Sequence, residues 1–325
     1  MNDAYNAAGD FSPAETFLDP ADAFVATDPV DATPEGAVDA VAEPELAPNG
    51  FLKFGLAPEL IQAVEDLGFN QPTTVQEQTI PLALADDADG SASNDLMVSS
   101  QTGSGKTAAF LLPMLHTLLQ QQAKADADAK AEFARLKAEA EARGEALPKK
   151  AKRKDPTNSR HFQPAEPGAL VLCPTRELAQ QVANDAIDLV KHCRGLRVAN
   201  VVGGMPYQMQ IARLQNANLV VATPGRLLDL QRSSQIKLDQ VQFLVIDEAD
   251  RMLDLGFSDD LAEINALTSA RRQTMMFSAT FASRVQQLAM RVMRNNGASV
   301  RKIQVDNPQE QHANIRQTLF WADNP

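Results

Sequence analysis

Between the apolar stretch Leu96-Met97-Val98 and a helix-like run from Ala108 to Leu119 lies the string Thr102-Gly103-Ser104-Gly105-Lys106-Thr107. A strand, a glycine-rich turn and a helix in direct succession let backbone N–H groups and a helix N-terminus surround a phosphate. Few folds can use such a string, and the rest of the chain fits the commonest of them. Short β-branched and Leu-rich runs at 95–99, 169–173, 196–202, 218–222, 241–246, 273–278 and 300–305 alternate with helical segments. Strands separated by helices predict right-handed βαβ units, hence an α/β fold with a parallel β-sheet covered by helices on both faces.

Before the first strand, Leu56, Leu60, Ile61, Val64 and Leu67 recur at helical spacing, with Pro58 as a first-turn residue and Gly68 as the stop. A second helix is predicted over Val75 to Leu84. Residues 120–168 interrupt the alternation. Ala123 to Ala146 is rich in Ala, Glu, Lys and Arg, with Asp126–Lys130 and Glu139–Arg143 in the favourable i,i+4 order, and predicts a separate exposed helix. The run Lys149-Lys150-Ala151-Lys152-Arg153-Lys154 that follows is either a solvated insertion tip or an arm contacting nucleic-acid phosphates.

Charge is distributed unevenly. The net charge is −12, yet the first 50 residues carry 11 acidic and no basic side chains, so residues 51–325 sum to −1. The acidity belongs to the 1–49 segment, whose scattered apolar residues follow neither structural period; it is expected to be a disordered acidic tail, with a segment binding an unknown partner as the alternative. An acidic chain overall therefore does not argue against nucleic-acid binding by the remainder. Cys173 and Cys193 are too few for a disulfide framework and are expected to be buried thiols. The run Phe110 to Leu119, broken by Pro113 and His116, is too short to span a bilayer. No membrane association and a cytoplasmic location are the expectations.

In the block Ser100-Gln101-Thr102-Gly103-Ser104-Gly105-Lys106-Thr107, Gly103 and Gly105 allow successive N–H groups to face phosphate oxygens. Lys106 is placed to reach the β- and γ-phosphates, and the Thr107 hydroxyl to ligate Mg²⁺. Asp247-Glu248-Ala249-Asp250 follows the apolar run Phe243-Leu244-Val245-Ile246, at the sheet edge where α/β proteins bind ligands. There Asp247 can hold Mg²⁺, partly through water, and Glu248 can orient and deprotonate an attacking water. Taken alone, the acidic string could also be a helix start capping N–H groups.

These strings, in this order, resemble the first RecA-like domain of a DEAD-box RNA helicase, over about residues 50–305. Gly68-Phe69-Asn70-Gln71-Pro72-Thr73-Thr74-Val75-Gln76 resembles the family's adenine-reading motif within residues 51–79, with Phe51 at the upstream aromatic position. The resemblance implies that Gln76 hydrogen-bonds the adenine edge and Phe51 stacks on its face. Pro174-Thr175-Arg176, Gly203-Gly204 and Thr223-Pro224-Gly225-Arg226 each follow a predicted strand; in the family these segments grip an RNA backbone without reading sequence. Strand-to-helix turns with capping Thr would leave the same traces. Ser278-Ala279-Thr280 resembles the segment coupling ATP state to RNA unwinding, with the Ser278 and Thr280 hydroxyls directed toward Asp247 and Asp250; a turn-forming helix cap is the alternative. ATP and Mg²⁺ are the implied cofactors and RNA the implied partner.

The sequence departs from the family pattern in three places. Thr74 stands where Pro is usual, Ser100 stands where Ala or Gly is usual, and the 120–168 insertion is long. No His-Arg-x-x-Arg run occurs, and Asn314 to Trp321 resembles the linker and opening strand of a second RecA-like domain, which would supply an arginine finger. An isolated first domain is expected to bind ATP but hydrolyse it poorly, since such a finger contributes on the order of 10³ to 10⁵ in rate. A nucleotide-binding module without catalysis is the alternative expectation.

Overall fold

The computed structural model describes residues 48–85, 95–143, 163–297 and 300–305. Residues 1–47 of the expected acidic tail, the basic run 149–154 and the expected linker 306–325 lie outside the described residues. All seven expected strands form: β1 (Leu96–Ser99), β2 (Ala169–Leu172), β3 (Val198–Val201), β4 (Leu219–Ala222), β5 (Phe243–Ile246), β6 (Gln273–Ser278) and β7 (Arg301–Gln304). They make one sheet in the order β3-β4-β2-β5-β6-β1-β7, and every pairing is parallel. Helices α1 (Pro58–Asp66), α2 (Thr74–Leu84), α3 (Lys106–Arg143), α4 (Arg176–Leu189), α5 (Tyr207–Leu214), α6 (Pro224–Arg232), α7 (Ala249–Asp254), α8 (Ser258–Leu267) and α9 (Ser283–Val292) connect and flank the strands.

Alternate residues along each strand feed two separate cores. Leu96, Val98, Val171, Val245 and Phe277 face one side, where they pack with Phe110 of α3 and Val182 of α4. Met97, Leu170, Leu172, Leu244 and Met276 face the other, with Leu227 of α6, Leu261 of α8 and Leu288 of α9. Burial on both faces is why the central strands are continuous apolar runs with no alternation. A buried carboxylate closes the start of the sheet: Asp95 accepts hydrogen bonds from the backbone of Thr274 (2.7 Å) and Arg294 (2.8 Å). Burial raises its pKa, and the two N–H donors oppose that shift.

The two N-terminal helices form as expected. Pro58 occupies the first turn of α1, and Gly68, at φ 76°, turns the chain away at its end. At the start of α2, Thr73 and Gln76 form a reciprocal capping box. Both cysteines are buried.

The helix after the phosphate loop differs from expectation. The sequence predicts a run ending at Leu119 and a second, separate helix from Ala123, whereas α3 is continuous for 38 residues. No Gly or Pro lies between Met114 and Arg143, and Ala, Glu, Lys and Gln dominate the junction, so nothing breaks the hydrogen-bond ladder. At about 1.5 Å per residue the helix is about 57 Å long. Its first turns are buried, with Phe110 to Met114 fully enclosed, while residues 123–139 are exposed apart from half-buried Phe133. Ion pairs Arg135–Glu132 and Lys137–Glu141 run along the exposed part.

Candidate functional site

Strand order decides which loops meet. Because β1, β6 and β5 are neighbours, the loops carrying Ser100–Thr107, Ser278–Thr280 and Asp247–Asp250 lie side by side at the C-terminal edge. Because β2, β4 and β3 are neighbours, the loops at 174–176, 223–226 and 203–204 form a second group on the same edge. The jump of the chain from β1 past β6 and β5 to β2 creates the crevice in which α/β sheets bind ligands.

The phosphate loop is held by its own side chains. Lys106, 9% exposed, donates from Nζ to the Ser100 carbonyl (3.0 Å). The Ser100 and Ser104 hydroxyls are 2.9 Å apart, and Ser104 Oγ also donates to the Gln101 carbonyl (2.8 Å). Ser100 N–H in turn donates to the Ser278 carbonyl (3.2 Å), tying this loop to β6. Thus the unusual Ser100 is an internal brace of the loop. Gly103 and Gly105 both have positive φ, and a Cβ on Gly105 would stand 2.5 Å from Gln76 Nε2. Only glycine satisfies both the dihedral and the space there. Thr102 is exposed, and Thr107 is half-buried at the first turn of α3.

Opposite this loop, Asp247 is 3% exposed and Glu248 has φ 50°, ψ 54°, a left-handed conformation costly for a residue with a Cβ. Asp247 Oδ1 accepts from the Glu248 N–H (2.9 Å). Burial pushes the Asp247 carboxyl up to about 6, with the Lys106 charge opposing and the Glu248 and Asp250 charges adding to the rise. Glu248 Oε2 lies 3.4 Å from Arg251. A buried carboxylate flanked by further acids and facing a single ammonium has capacity for an additional cation. Among the described residues no group of three His, Cys, Asp or Glu could hold a metal by itself. Asp247 and Thr107 offer the one or two protein oxygens by which Mg²⁺ is commonly held, together with phosphates and water.

Gln76, Gly105, Lys106, Thr107, Asp247 and Glu248 line one cleft of about 600 Å³, together with Phe69. Gln76 is 5% exposed; its Oε1 accepts from Thr73 N–H (2.9 Å) and its Nε2 donates to the Gly105 carbonyl (3.1 Å). One amide hydrogen and one lone pair are left to face a ligand. The expectation that Phe51 stacks on a base does not hold. Its ring is fully buried, edge-on to Phe54 at 5.9 Å, and has no face to offer. Phe69, 42% exposed at the cleft, is the available aromatic. Its signal in the sequence is its place directly after the helix-ending Gly68. The cleft wall formed by α4 was also missed: Gln181, Asp185 and Asp188 face it at helical spacing, and burial followed by the Asp188 charge raises the Asp185 pKa. Asp66 anchors this wall to α1 through Lys191 (2.6 Å) and His192 (2.7 Å).

The coupling segment is also wired differently from expectation. Ser278 Oγ donates to the Thr280 carbonyl (2.9 Å), and it is the Ala279 N–H that reaches Asp250 Oδ2 (3.2 Å). The backbone of the turn thus bonds the acidic string, whereas the Ser278 hydroxyl closes its own turn and Thr280 is exposed.

In the second group, Thr175 caps α4 by accepting from Leu178 N–H (3.3 Å), Pro174 is buried and Arg176 is exposed. Gly204, at φ 75°, lies so near Arg176 that a Cβ would stand 2.6 Å from its Nη1. Arg226 donates to the Met205 carbonyl (3.1 Å) and lies over the Tyr207 ring at 4.3 Å. Thr223, Pro224 and Gly225 form the entry to α6, with Pro224 in its first turn and Thr223 N–H donating to the Val201 carbonyl (3.1 Å). The three loops therefore touch through side chains as well as by strand order.

A seven-stranded parallel sheet with this edge is a RecA-like phosphate-loop domain. Residues 73–288 match the family described as DEAD/DEAH box helicase, and the chain belongs to that family. It is 38% identical over 253 residues to the ATP-dependent RNA helicase RhlB of Pseudomonas aeruginosa, covering 77% of this chain and 53% of that protein. The DEAD-box ATP-dependent RNA helicase 52A of Oryza sativa is 37% identical over 76% of this chain and 36% of its own length. Among solved structures, a hypothetical ATP-dependent RNA helicase from Sulfolobus tokodaii superposes with a TM-score of 0.55 at 34% identity, over 76% of this chain and 56% of that one. A DEAD box protein from Methanococcus jannaschii superposes with a TM-score of 0.57 at 28% identity, over 79% and 56%. The chain spans about half the length of these bacterial and archaeal relatives. No helix among the described residues is long and apolar enough to cross a membrane.

Proposed function

We propose that this chain is the nucleotide-binding half of an ATP-dependent RNA helicase that couples ATP hydrolysis to local unwinding of RNA duplexes. The observation that carries this reading is the convergence of Lys106, Asp247 and Glu248 on one cleft also lined by Phe69 and Gln76. Phe69 takes one face of the adenine and the spare amide groups of Gln76 take its edge. The N–H groups of 103–107 and the start of α3 receive the phosphates, and Lys106 exchanges the Ser100 carbonyl for phosphate oxygens. Thr107 and Asp247 would hold Mg²⁺, which would neutralise charge on the reacting phosphates. Glu248 orients a water and accepts its proton. The Ala279–Asp250 bond links that carboxylate's helix to β6, so a shift at the phosphates is felt by the coupling segment.

Along the other group of loops, Thr175, Arg176, Gly203, Gly204, Thr223, Gly225 and Arg226 offer N–H groups, hydroxyls and positive charge suited to a sugar–phosphate backbone, with Pro174 and Pro224 setting the turns. A second RecA-like domain supplies the remaining contacts and the arginine finger. The test is RNA-stimulated ATP hydrolysis by this chain alone and mixed with a matching second domain, with Glu248→Gln as control. Stimulation seen in the mixture and abolished in the variant is the expected result. Tight nucleotide binding with no turnover in any combination would sink the proposal in favour of a binding module.

A further inference from the structure

Gln210 is 0% exposed, and it and Leu214 are the buried residues of α5. Both hydrogens of its Nε2 are spent on the loop that follows β3: one goes to the Val202 carbonyl (3.0 Å), the other to the Met205 carbonyl (3.0 Å). These two carbonyls bracket Gly203 and Gly204. Met205 O receives a second donor, Arg226 Nη1 at 3.1 Å, from the loop that follows β4. The Gln210 Oε1 atom is buried and has no hydrogen-bond partner among the described residues. A buried acceptor without a partner is costly, so packing alone does not account for an amide here; its two donor bonds do.

We propose that Gln210 is a positioning residue for RNA binding: it pins the Val202–Met205 loop so that the Gly203–Gly204 backbone and Arg226 form one rigid backbone-gripping surface. Glycines at 203 and 204 leave this loop free of side-chain restraint, and Gly204 sits at φ 75°. A loop that lacks its own anchors loses conformational entropy when it binds; a buried bidentate donor removes that cost beforehand. Because Gln210 and Arg226 converge on the same carbonyl, displacement of one loop loosens the other. The inference rests on the RNA-binding reading of this edge.

The test uses the full chain, a fluorescent single-stranded oligouridylate at low salt, and a fluorescent ATP analogue. Gln210→Met keeps the volume and removes both donors; Arg176→Ala removes a backbone contact from the same edge without touching the Gln210 network. Gln210→Met is expected to weaken RNA binding by about tenfold, the worth of roughly one to two hydrogen bonds, and to leave analogue affinity unchanged. Faster amide hydrogen exchange confined to 203–205 is expected alongside. Should Arg176→Ala weaken RNA binding while Gln210→Met does not, the positioning role is overturned and the RNA-binding edge stands. The RNA titrations are made with a matching second domain added; should neither change matter, or the unaltered chain fail to bind even then, the reading of the edge itself falls. If Gln210→Met does not fold, the side-chain amide resonances of Gln210 in the unaltered protein decide: a shift on adding the oligouridylate and none on adding the analogue supports the role, and no shift with RNA overturns it.

Discussion

Along the β1, β6 and β5 end of the sheet edge, the polar groups are buried and bonded to one another; along the β2, β4 and β3 end they stand nearer the surface and are held from behind. Lys106 and Asp247 are almost fully enclosed, and Gln76 bonds directly to the phosphate loop. Arg176 and Gly204, by contrast, are exposed, and their support comes from Arg226 and the buried Gln210. Burial makes charge expensive and therefore chemically useful, as the raised Asp247 carboxyl shows. Exposure suits the proposed role of this end, gripping a polyanion in any sequence and then releasing it. The difference predicts that changes at one end alter chemistry and nucleotide affinity, whereas changes at the other alter RNA affinity and its salt dependence.

The largest expected effect is at the enclosed end. Lys106→Ala should lower hydrolysis, measured with the second domain present, on the order of 10²- to 10³-fold, through loss of charge stabilisation at the phosphates. RNA affinity without nucleotide should be unchanged. An equal loss of nucleotide-free RNA binding would break the comparison, because it would show that the two ends are not separable. At the exposed end, Arg226→Ala removes a positive charge and the Met205 tie together. About a tenfold loss of RNA affinity is expected, with a shallower dependence on salt and no effect on nucleotide titrations.

Asp247→Asn sharpens the contrast through stability. Removing a buried charge that the Lys106 ammonium and the Glu248 N–H offset only in part should stabilise the fold by about 1–2 kcal/mol while abolishing Mg²⁺-dependent turnover. Thermal unfolding checks it, with a rise of about 2–4 °C per kcal/mol for a domain of this size. A fall in Tm would mean that the carboxylate is structural, with Glu248 N–H as its essential partner.

What the sequence discloses follows the same physical division. The seven strands are legible because both faces of each central strand are apolar, leaving Leu170-Val171-Leu172 or Phe243-Leu244-Val245 few alternatives. Phosphate-loop and acidic residues are legible because their backbone demands are local, as with the positive φ of Gly103 and Gly105. Contacts that depend on tertiary packing are not. The place of Phe69 after the helix-ending Gly68 is a local mark, but that the core encloses Phe51 and the cleft exposes Phe69 is decided by packing. The change in charge pattern after Leu119 suggests a boundary, but charge does not end a helix, and α3 continues to Arg143. Gln210 is silent in the sequence because its meaning lies in two carbonyls on the preceding loop, reached only once α5 has packed.

The smallest predicted effect concerns pH, and it too acts on one end of the edge. His116 on α3 accepts the Ala57 N–H at its Nδ1 (3.0 Å), which requires a neutral ring protonated on Nε2, and burial lowers its pKa below the ordinary 6.5. Protonation therefore destroys an acceptor that helps seat α1. Because the folded-state value is the lower one, this contribution is complete above about pH 6.5 and is lost as pH falls through that value toward the folded-state pKa. The turn Leu67-Gly68-Phe69 follows α1 directly and forms part of the cleft wall. Acidification from pH 7 toward 5 should loosen that wall, weakening binding of an adenine nucleotide more than that of inorganic triphosphate, which lacks the base. In His116→Gln, whose amide oxygen can accept the same N–H without titrating, the difference between the two ligands should become independent of pH. An identical pH slope in the variant and the parent protein would assign the effect to carboxylates elsewhere in the cleft, such as Asp185, and remove His116 from the account.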